Sequence, residues 1–112
     1  MVPTVLLENI AASADFILEA AVVGVPDDKW GQRPMALVNL VPGSVETEED
    51  VIKHLQTEGV DKGKITKWML PDYVLITNDI PKTSVGKFNK LAINQNMAEF
   101  LAKAKHVRTL GG

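Results

Sequence analysis

The sequence predicts a small single-domain α+β fold, in which a mixed β-sheet with a β-hairpin is flanked by helices. Three observations indicate this fold. The 112 residues are 46% hydrophobic and 23% charged, the usage of one ordinary globular domain. Two apolar runs separated by a turn-rich connection are typical of paired strands, and apolar residues at helical spacing precede and follow them. The predicted order is therefore helix, strand, strand, helix, strand, helix.

The first half of the chain predicts one helix and two strands. Residues 5–12 predict a short helix, because apolar residues recur on one face. The run AAVVGV at positions 20–25 ends at a proline and predicts a strand that is covered on both faces. Turn-rich residues 26–34 connect it to a second predicted strand at 35–41.

The second half predicts two helices around a short strand. Thr47 is the predicted N-cap of a helix that carries carboxylates in its first turn and that we expect to stop at Gly59. Residues 73–76 predict a short strand. A polar loop then leads into a last helix, whose apolar stripe continues to Ala104 and whose end has the favourable charges of Lys103, Lys105 and Arg108.

Composition argues against several classes of function. The chain has no cysteine, hence no disulfide or thiolate metal site, and its two histidines lie too far apart in sequence for a zinc pair. The net charge of −2 gives no basic footprint for nucleic acid. No apolar run approaches the roughly 20 residues of a membrane span, and we expect no signal peptide. A cytoplasmic location is the resulting prediction.

The stretch PKTSVGK at positions 81–87 is the most informative part of the sequence. Its Gly-Lys pair suggests a phosphate-binding P-loop, which would also need glycine at position 81 and serine or threonine at position 88. Those positions hold Pro81 and Phe88, so the stretch is not a P-loop. By composition alone, Lys87 would be an exposed lysine on a loop before a helix.

The same stretch resembles the last conserved motif of the adenylate-forming superfamily, which includes acyl-CoA synthetases, luciferases and peptide-synthetase adenylation domains. The resemblance runs from about position 5 to about position 93 and is closest to synthetases of medium- or long-chain fatty acids. It implies that residues 1–112 are the small C-terminal lobe, without the large N-terminal lobe and the hinge. Three further segments agree with the family in order and spacing: EAAVVGVPD at 19–27, WGQRP at 30–34 and WMLPD at 68–72.

The resemblance also implies a role for the residues of this loop. Lys87 corresponds to the lysine that serves the first half-reaction, in which a carboxylic acid attacks the α-phosphate of ATP. Gly86, with Thr83 and Ser84, would let the loop enter a cleft between the two lobes. ATP and CoA are then expected as substrates, and Mg²⁺ is expected in the large lobe.

A CoA site is implied for a second orientation of the lobe. Trp30, Trp68 and Gly24 fall where relatives line that site, and an indole ring can stack on adenine or cover the pantetheine arm. The alternative for either tryptophan is packing against the core. Some relatives have basic residues two and four positions after the second aromatic residue. This chain has Leu70 and Asp72 there, so the means of holding the CoA phosphate stays open.

Two classes of function remain open at this point. The first is the C-terminal lobe of an AMP-forming fatty acid–CoA ligase, inactive alone and working with a large adenylation lobe. Within this class, a luciferase-like enzyme or a peptide-synthetase adenylation domain is the alternative. The second class is a stand-alone docking module that has the fold without the reaction. We expect Arg33 to pair with an acidic neighbour and His54 to lie at the surface.

Overall fold

The computed structural model describes residues 3–82 and 85–107, whose four strands form one mixed sheet in the order β1–β2–β3–β4. The predicted small α+β domain with a β-hairpin is confirmed. Strand β2 pairs antiparallel with β1 and parallel with β3, and β4 pairs antiparallel with β3. The bounds are β1 Ile17–Asp27, β2 Gly31–Leu40, β3 Tyr73–Ile76 and β4 Lys105–His106.

Helices cover both faces of the sheet, which explains why its strands are apolar on both sides. Along β1, Val22 packs with buried residues of the first two helices, whereas its neighbour Val23 packs with the last two. Of the helices formed by the described residues, none is both long and apolar enough to cross a bilayer. Their bounds are α1 Thr4–Ala12, α2 Glu48–Leu55, α3 Lys90–Gln95 and α4 Met97–Lys103.

The β1–β2 hairpin is tighter than the sequence predicted. The strands stay paired as far as Asp27 and Gly31, so the turn is much shorter than the predicted connection at 26–34. The Asp27 carboxylate accepts the N–H groups of Lys29 at 3.0 Å and Trp30 at 2.8 Å, which stabilises the turn. Pro26 fits within β1 because β1 is an edge strand of this sheet.

Helix α2 begins as predicted but does not end as predicted. The N–H of Thr47 donates to Asp50 Oδ2 at 2.8 Å, so the first turn is capped. After α2, the chain continues as one π-helical turn, Gln56–Val60, and Gly59 lies inside it. A Cβ at position 59 would lie 2.9 Å from Cδ1 of Ile65. Gly59 therefore permits close packing here and is not the predicted helix stop.

The predicted last helix is two helices followed by a strand. Asn96 has φ −111° and ψ 24°, which interrupts the helix between α3 and α4. The predicted apolar stripe still packs as one set against the sheet, from Ile93 to Ala104. Lys105 lies in β4, and its Nζ is 2.6 Å from Oε2 of Glu49 on α2. Its charge therefore forms an ion pair and does not complement a helix dipole, whereas Lys103 lies in the last turn of α4 as predicted. Arg108 lies outside the described residues.

Glu8 on α1 covers the exposed edge of β1. The backbone N–H of the buried Val22 donates to Glu8 Oε2 at 2.7 Å. The same oxygen lies 2.8 Å from Nζ of Lys90 on α3. An edge strand presents backbone groups that need partners, and this carboxylate supplies one while joining α1 to α3.

Candidate functional site

The loop between β3 and α3 has a closed base and a short tip. Lys82 and Phe88 form an antiparallel bridge, and the N–H of Asn89 donates to the carbonyl oxygen of Pro81 at 2.8 Å. These contacts hold the two stems of the loop together, and the described residues 85–87 lie at its tip. The predicted site residues Thr83 and Ser84 lie outside the described residues.

Lys87 lies on this tip and is exposed. Gly86 before it has φ +83°, a left-handed backbone conformation that favours glycine. No hydrogen bond or ion pair joins the Lys87 side chain to residues 3–82 or 85–107. Its ammonium can therefore bind an anionic group from outside these ranges without first losing a contact within them.

Lys82, at the base of the loop, is bound to the sheet. Its Nζ lies 2.5 Å from Oε1 of Glu19 on β1. The other carboxylate oxygen, Oε2, accepts a hydrogen bond from Nδ2 of Asn39 on β2 at 3.2 Å. The hydrogen bond from Lys82 lowers the pKa of Glu19, against the opposing effect of burial. Sequence reasoning did not single out this pair, although both residues lie in segments that carry the resemblance.

We expect the Glu19 carboxyl to titrate below its ordinary pKa of 4.5, because Lys82 stabilises the charged form. The folded-state pKa is depressed. The stabilising effect is therefore fully present above pH 4.5 and is lost as the pH falls through the folded-state pKa. Carbon NMR of the side-chain carboxyl measures the midpoint. Lys82→Met is expected to move it up toward 4.5. An unchanged midpoint in the variant would show that Lys82 is not the cause.

Trp30 and Trp68 lie side by side at the surface. Their ring centroids are 5.4 Å apart with 40° between the ring planes. They are 47% and 59% exposed, so neither indole belongs to the buried core. Nζ of Lys29 lies 5.4 Å from the Trp30 ring centroid, within cation–π distance. Both rings line an open groove of about 450 Å³ together with Thr66 and Met69; we call it the tryptophan groove.

Arg33 holds the segment that carries Trp68. Its Nη1 donates to the carbonyl oxygen of Trp68 at 2.7 Å, and its Nη2 donates to that of Leu70 at 2.8 Å. Nη2 also lies 3.0 Å from Asp72 Oδ1, which confirms the expected pairing with an acidic neighbour. Leu70 and Asp72, where some relatives have basic residues, thus take part in contacts within the fold.

Gly24 lies beside a different groove. It is opposite Pro34 in the β1–β2 pair, and the Gln32 side chain covers it so closely that a Cβ would lie 2.6 Å from Gln32 Oε1. This second groove, of about 370 Å³, is also lined by Lys90 on α3. Gln32 lines both grooves. The structure therefore places Gly24 next to the tryptophan groove but not among the residues that line it.

The Lys87 loop and the tryptophan groove lie at opposite ends of the sheet. Trp30 precedes β2 and Trp68 precedes β3, which is parallel to β2, so both lie where these strands start. The loop follows the end of β3, and its Lys82 reaches Glu19, whose partner Asn39 is near the end of β2. A strand of 10 residues spans about 30 Å. The Lys87 loop and the tryptophan groove therefore belong to two separate surfaces of the domain, one at each end of the strands. We call them the Lys87 face and the tryptophan face.

Both histidines make contacts within the fold. Nε2 of His54 lies 2.9 Å from the carbonyl oxygen of Ile10, so this nitrogen carries a proton and donates. It also lies 3.0 Å from Ser13 Oγ, but a nitrogen that already donates cannot act as the base for that serine. His54 is half-buried and joins α1 to α2, so it is only partly at the surface. His106 stacks on Tyr73 with centroids 4.6 Å apart.

In the part of the chain that the structure describes, no group of three or more His, Cys, Asp or Glu side chains could hold a metal ion. A metal requires several such ligands to converge on one point.

Comparison with known proteins gives consistent similarities. The family model for the AMP-binding enzyme C-terminal domain matches residues 6–87. A long-chain-fatty-acid–CoA ligase of Thermus thermophilus is 38% identical over 104 residues, which cover 92% of this chain and 18% of the relative. A 2-methylpropanoate–CoA ligase of Humulus lupulus is 35% identical over 103 residues, 90% of this chain and 17% of the relative.

A solved structure agrees with these sequence similarities. An acyl-CoA synthetase of Brucella canis superposes with a TM-score of 0.73 at 25% identity, covering 86% of this chain and 17% of that one. The chain thus spans 18% or less of the length of each of these three relatives.

Proposed function

This chain belongs to the AMP-binding enzyme C-terminal domain family found in acyl-CoA ligases, and we propose that it is the mobile C-terminal lobe of an AMP-forming fatty acid–CoA ligase. The main observation that supports this proposal is that the Lys87 loop and the tryptophan groove lie at opposite ends of one sheet. An enzyme that turns one lobe between two half-reactions needs two such faces. The complete enzyme, by which we mean this lobe with its large adenylation lobe and hinge, would bind ATP, Mg²⁺ and the carboxylic acid mainly in the large lobe.

The Lys87 face would serve the first half-reaction. A carboxylate oxygen of the acid attacks the α-phosphorus of ATP, and pyrophosphate leaves. Two anions, the carboxylate and the triphosphate, approach each other in this step. A compact ammonium beside both of them stabilises the negative charge electrostatically and does not act as a base. Lys87 suits this role because it is exposed on a tip whose base is held closed. Gly86, Thr83 and Ser84 would support the approach of that tip to the nucleotide.

The tryptophan face would serve the second half-reaction. The CoA thiol attacks the acyl carbonyl carbon, and AMP leaves. The paired indoles of Trp30 and Trp68 offer flat apolar surface for adenine or the pantetheine arm. Lys29 lies beside the Trp30 ring and Lys67 directly precedes Trp68, so their ammonium groups would be available for the CoA phosphates. Gly24, beside the adjoining groove, would be a further CoA contact.

A fatty acid is the proposed acyl substrate, and its support is the Thermus relative named as a long-chain-fatty-acid–CoA ligase. The Humulus relative is named for a short branched acid. The proposal therefore extends to a fatty acid and not to its chain length, which a panel of acids of increasing length measures in the complete enzyme. A cytoplasmic location stays a prediction from the sequence.

The 112-residue chain alone is expected to fold as a monomer and to catalyse no ATP–pyrophosphate exchange with any fatty acid, because the large lobe supplies the ATP site in this proposal. The complete enzyme is expected to catalyse both the exchange and thioester formation. Isotope exchange measures the first step. Robust exchange by the isolated chain, or a complete protein that activates no carboxylic acid, would contradict the proposed function.

Trp68→Ala in the complete enzyme is expected to raise the KM for CoA by roughly 5- to 150-fold, the value of a lost stacking contact. Adenylation should stay near wild type because Trp68 is at the opposite end of the sheet from Lys87. Val45→Ala is the control, since that side chain is 89% exposed and outside the tryptophan groove. A large loss of stability in Trp68→Ala with unchanged CoA kinetics would assign the indole to packing.

A further inference from the structure

The ion pair at the base of the Lys87 loop has no assigned role in the two half-reactions. We propose that Lys82 and Glu19 act as a positioning pair, which holds the first stem of the loop against β1 and thereby sets where the Lys87 ammonium reaches. Neither residue is proposed to touch substrate. This inference rests on the proposed role of Lys87 in adenylation.

Glu19 is a fixed anchor for such a pair. It lies in β1 opposite Asn39 of β2, and the Asn39 side chain donates to Oε2 at 3.2 Å. Oε1 is left for Lys82, whose Nζ lies 2.5 Å away. The carboxylate is therefore held by the two longest strands of the sheet, and only 21% of the side chain is exposed. The lowered pKa of Glu19 keeps this anchor charged at neutral pH.

Lys82 is in a position to pass this constraint to the tip. Its backbone pairs with Phe88, the residue directly after Lys87. The second stem is held independently, because Phe88 packs against the core and Asn89 Oδ1 accepts the N–H of Ala92 at 3.0 Å as the N-cap of α3. On the first stem, Ile80 is buried, and among the described residues Lys82 is the last before Val85 and is anchored by its ion pair with Glu19.

The expected signature is a loss of rate that exceeds the loss of stability. The Lys82 and Glu19 side chains are 41% and 21% exposed, and partly exposed ion pairs contribute little to folding. A reacting group displaced by about 1 Å, in contrast, can slow a reaction by about 100-fold. Breaking the pair should therefore leave the fold intact and misplace Lys87.

The test uses Lys82→Met, Glu19→Gln and the double variant in the complete enzyme. Each single variant is expected to lower kcat for acyl-adenylate formation by about 10- to 100-fold, with the KM for acid and ATP nearly unchanged. The double variant should be no slower than either single variant, because the residues act as one unit. The reversed pair, Lys82→Glu with Glu19→Lys, should recover part of the rate. Thioester formation from preformed acyl-adenylate should stay at wild type.

A matched control is another ion pair between distant segments, Lys105 with Glu49, whose charged atoms are 2.6 Å apart. Glu49→Gln breaks that pair without touching the loop, and adenylation should continue at the wild-type rate. In the 112-residue chain, Lys82→Met should shift the melting temperature by less than about 8 °C. Hydrogen exchange of the Asn89 amide, which bonds to Pro81, should become up to about fivefold faster.

Four results would overturn the positioning pair. Wild-type kcat in Glu19→Gln with a slow Lys82→Met would mean that Lys82 acts directly on substrate. Equal losses in both half-reactions, or additive losses in the double variant, would mean that the residues do not work as one unit for Lys87. Lys87→Ala is measured in the same assay. If it does not slow adenylation, the proposed function fails; if it does while Lys82→Met and Glu19→Gln are neutral, only the positioning pair fails.

Discussion

Replacing Lys87 by alanine is expected to slow acyl-adenylate formation in the complete enzyme by about 100- to 1000-fold, or about 3–4 kcal/mol of transition-state stabilisation. The reason is electrostatic. In the proposed function, the variant would remove a positioned cation from the site in which a carboxylate and a triphosphate meet. Water replaces that cation poorly, because it must reorient during the reaction whereas the ammonium on its anchored loop is already in place.

The same substitution should have little effect on the stability of the fold and on the second half-reaction. Lys87 is exposed and forms no hydrogen bond or ion pair with the residues that the structure describes, so the free energy of unfolding should change by less than about 0.5 kcal/mol. Thioester formation from preformed acyl-adenylate and CoA should proceed near the wild-type rate, because the tryptophan groove is at the other end of the sheet.

The measurement separates the two half-reactions, by pyrophosphate exchange for the first and by thioester release for the second. Lys103→Ala is the control, an exposed lysine on α4 that is outside the loop. Equal losses in both half-reactions would show that Lys87 supports the enzyme generally. No loss in the first half-reaction would end its assignment to adenylation.

Much of this fold was predictable because most of its helices and strands bury apolar residues in a pattern that is visible in the sequence. The continuous apolar run of β1 has that form because helices cover both faces of the sheet. Thr47 was identifiable as a helix start because capping is a local interaction. The strand β4 was not predicted, since two exposed residues carry no periodic pattern and pair only through their neighbour β3. Gly59 was misinterpreted for a similar reason: its close neighbour Ile65 is a contact of the folded chain.

In the candidate site, too, some residues could be predicted from the sequence and others could not. Lys87, Trp30 and Trp68 could be singled out because short segments resemble a family, and their exposure is compatible with binding. The pair of Lys82 and Glu19 could not be found, because it depends on where the loop returns to the sheet. A resemblance identifies the residues of a motif, whereas the residues that hold the motif in place are known only from the folded chain.

Arg33→Met is expected to cause the largest loss of stability, about 3–5 kcal/mol in the 112-residue chain. The side chain is 5% exposed and makes charge-assisted hydrogen bonds to the carbonyl oxygens of Trp68 and Leu70 and to Asp72 Oδ1. Such a bond is worth about 1.5–3 kcal/mol, and the cost of burying the guanidinium offsets part of the sum. Methionine keeps much of the aliphatic volume, so the loss reports mainly on the polar contacts.

Urea unfolding measures this loss, and two further variants define its cause. Lys62→Met breaks the exposed ion pair with Glu58, at 2.7 Å, and should lose no more than about 1 kcal/mol. The loss of stability in Arg33→Lys should lie between those of Arg33→Met and Lys62→Met. One ammonium cannot reproduce the planar guanidinium, which binds two carbonyl groups and a carboxylate. If Arg33→Met lost no more than Lys62→Met, the buried contacts would add nothing to stability. In the complete enzyme, Arg33→Lys should also raise the KM for CoA while leaving adenylation intact, because Arg33 holds the backbone of Trp68 and lies far from Lys87.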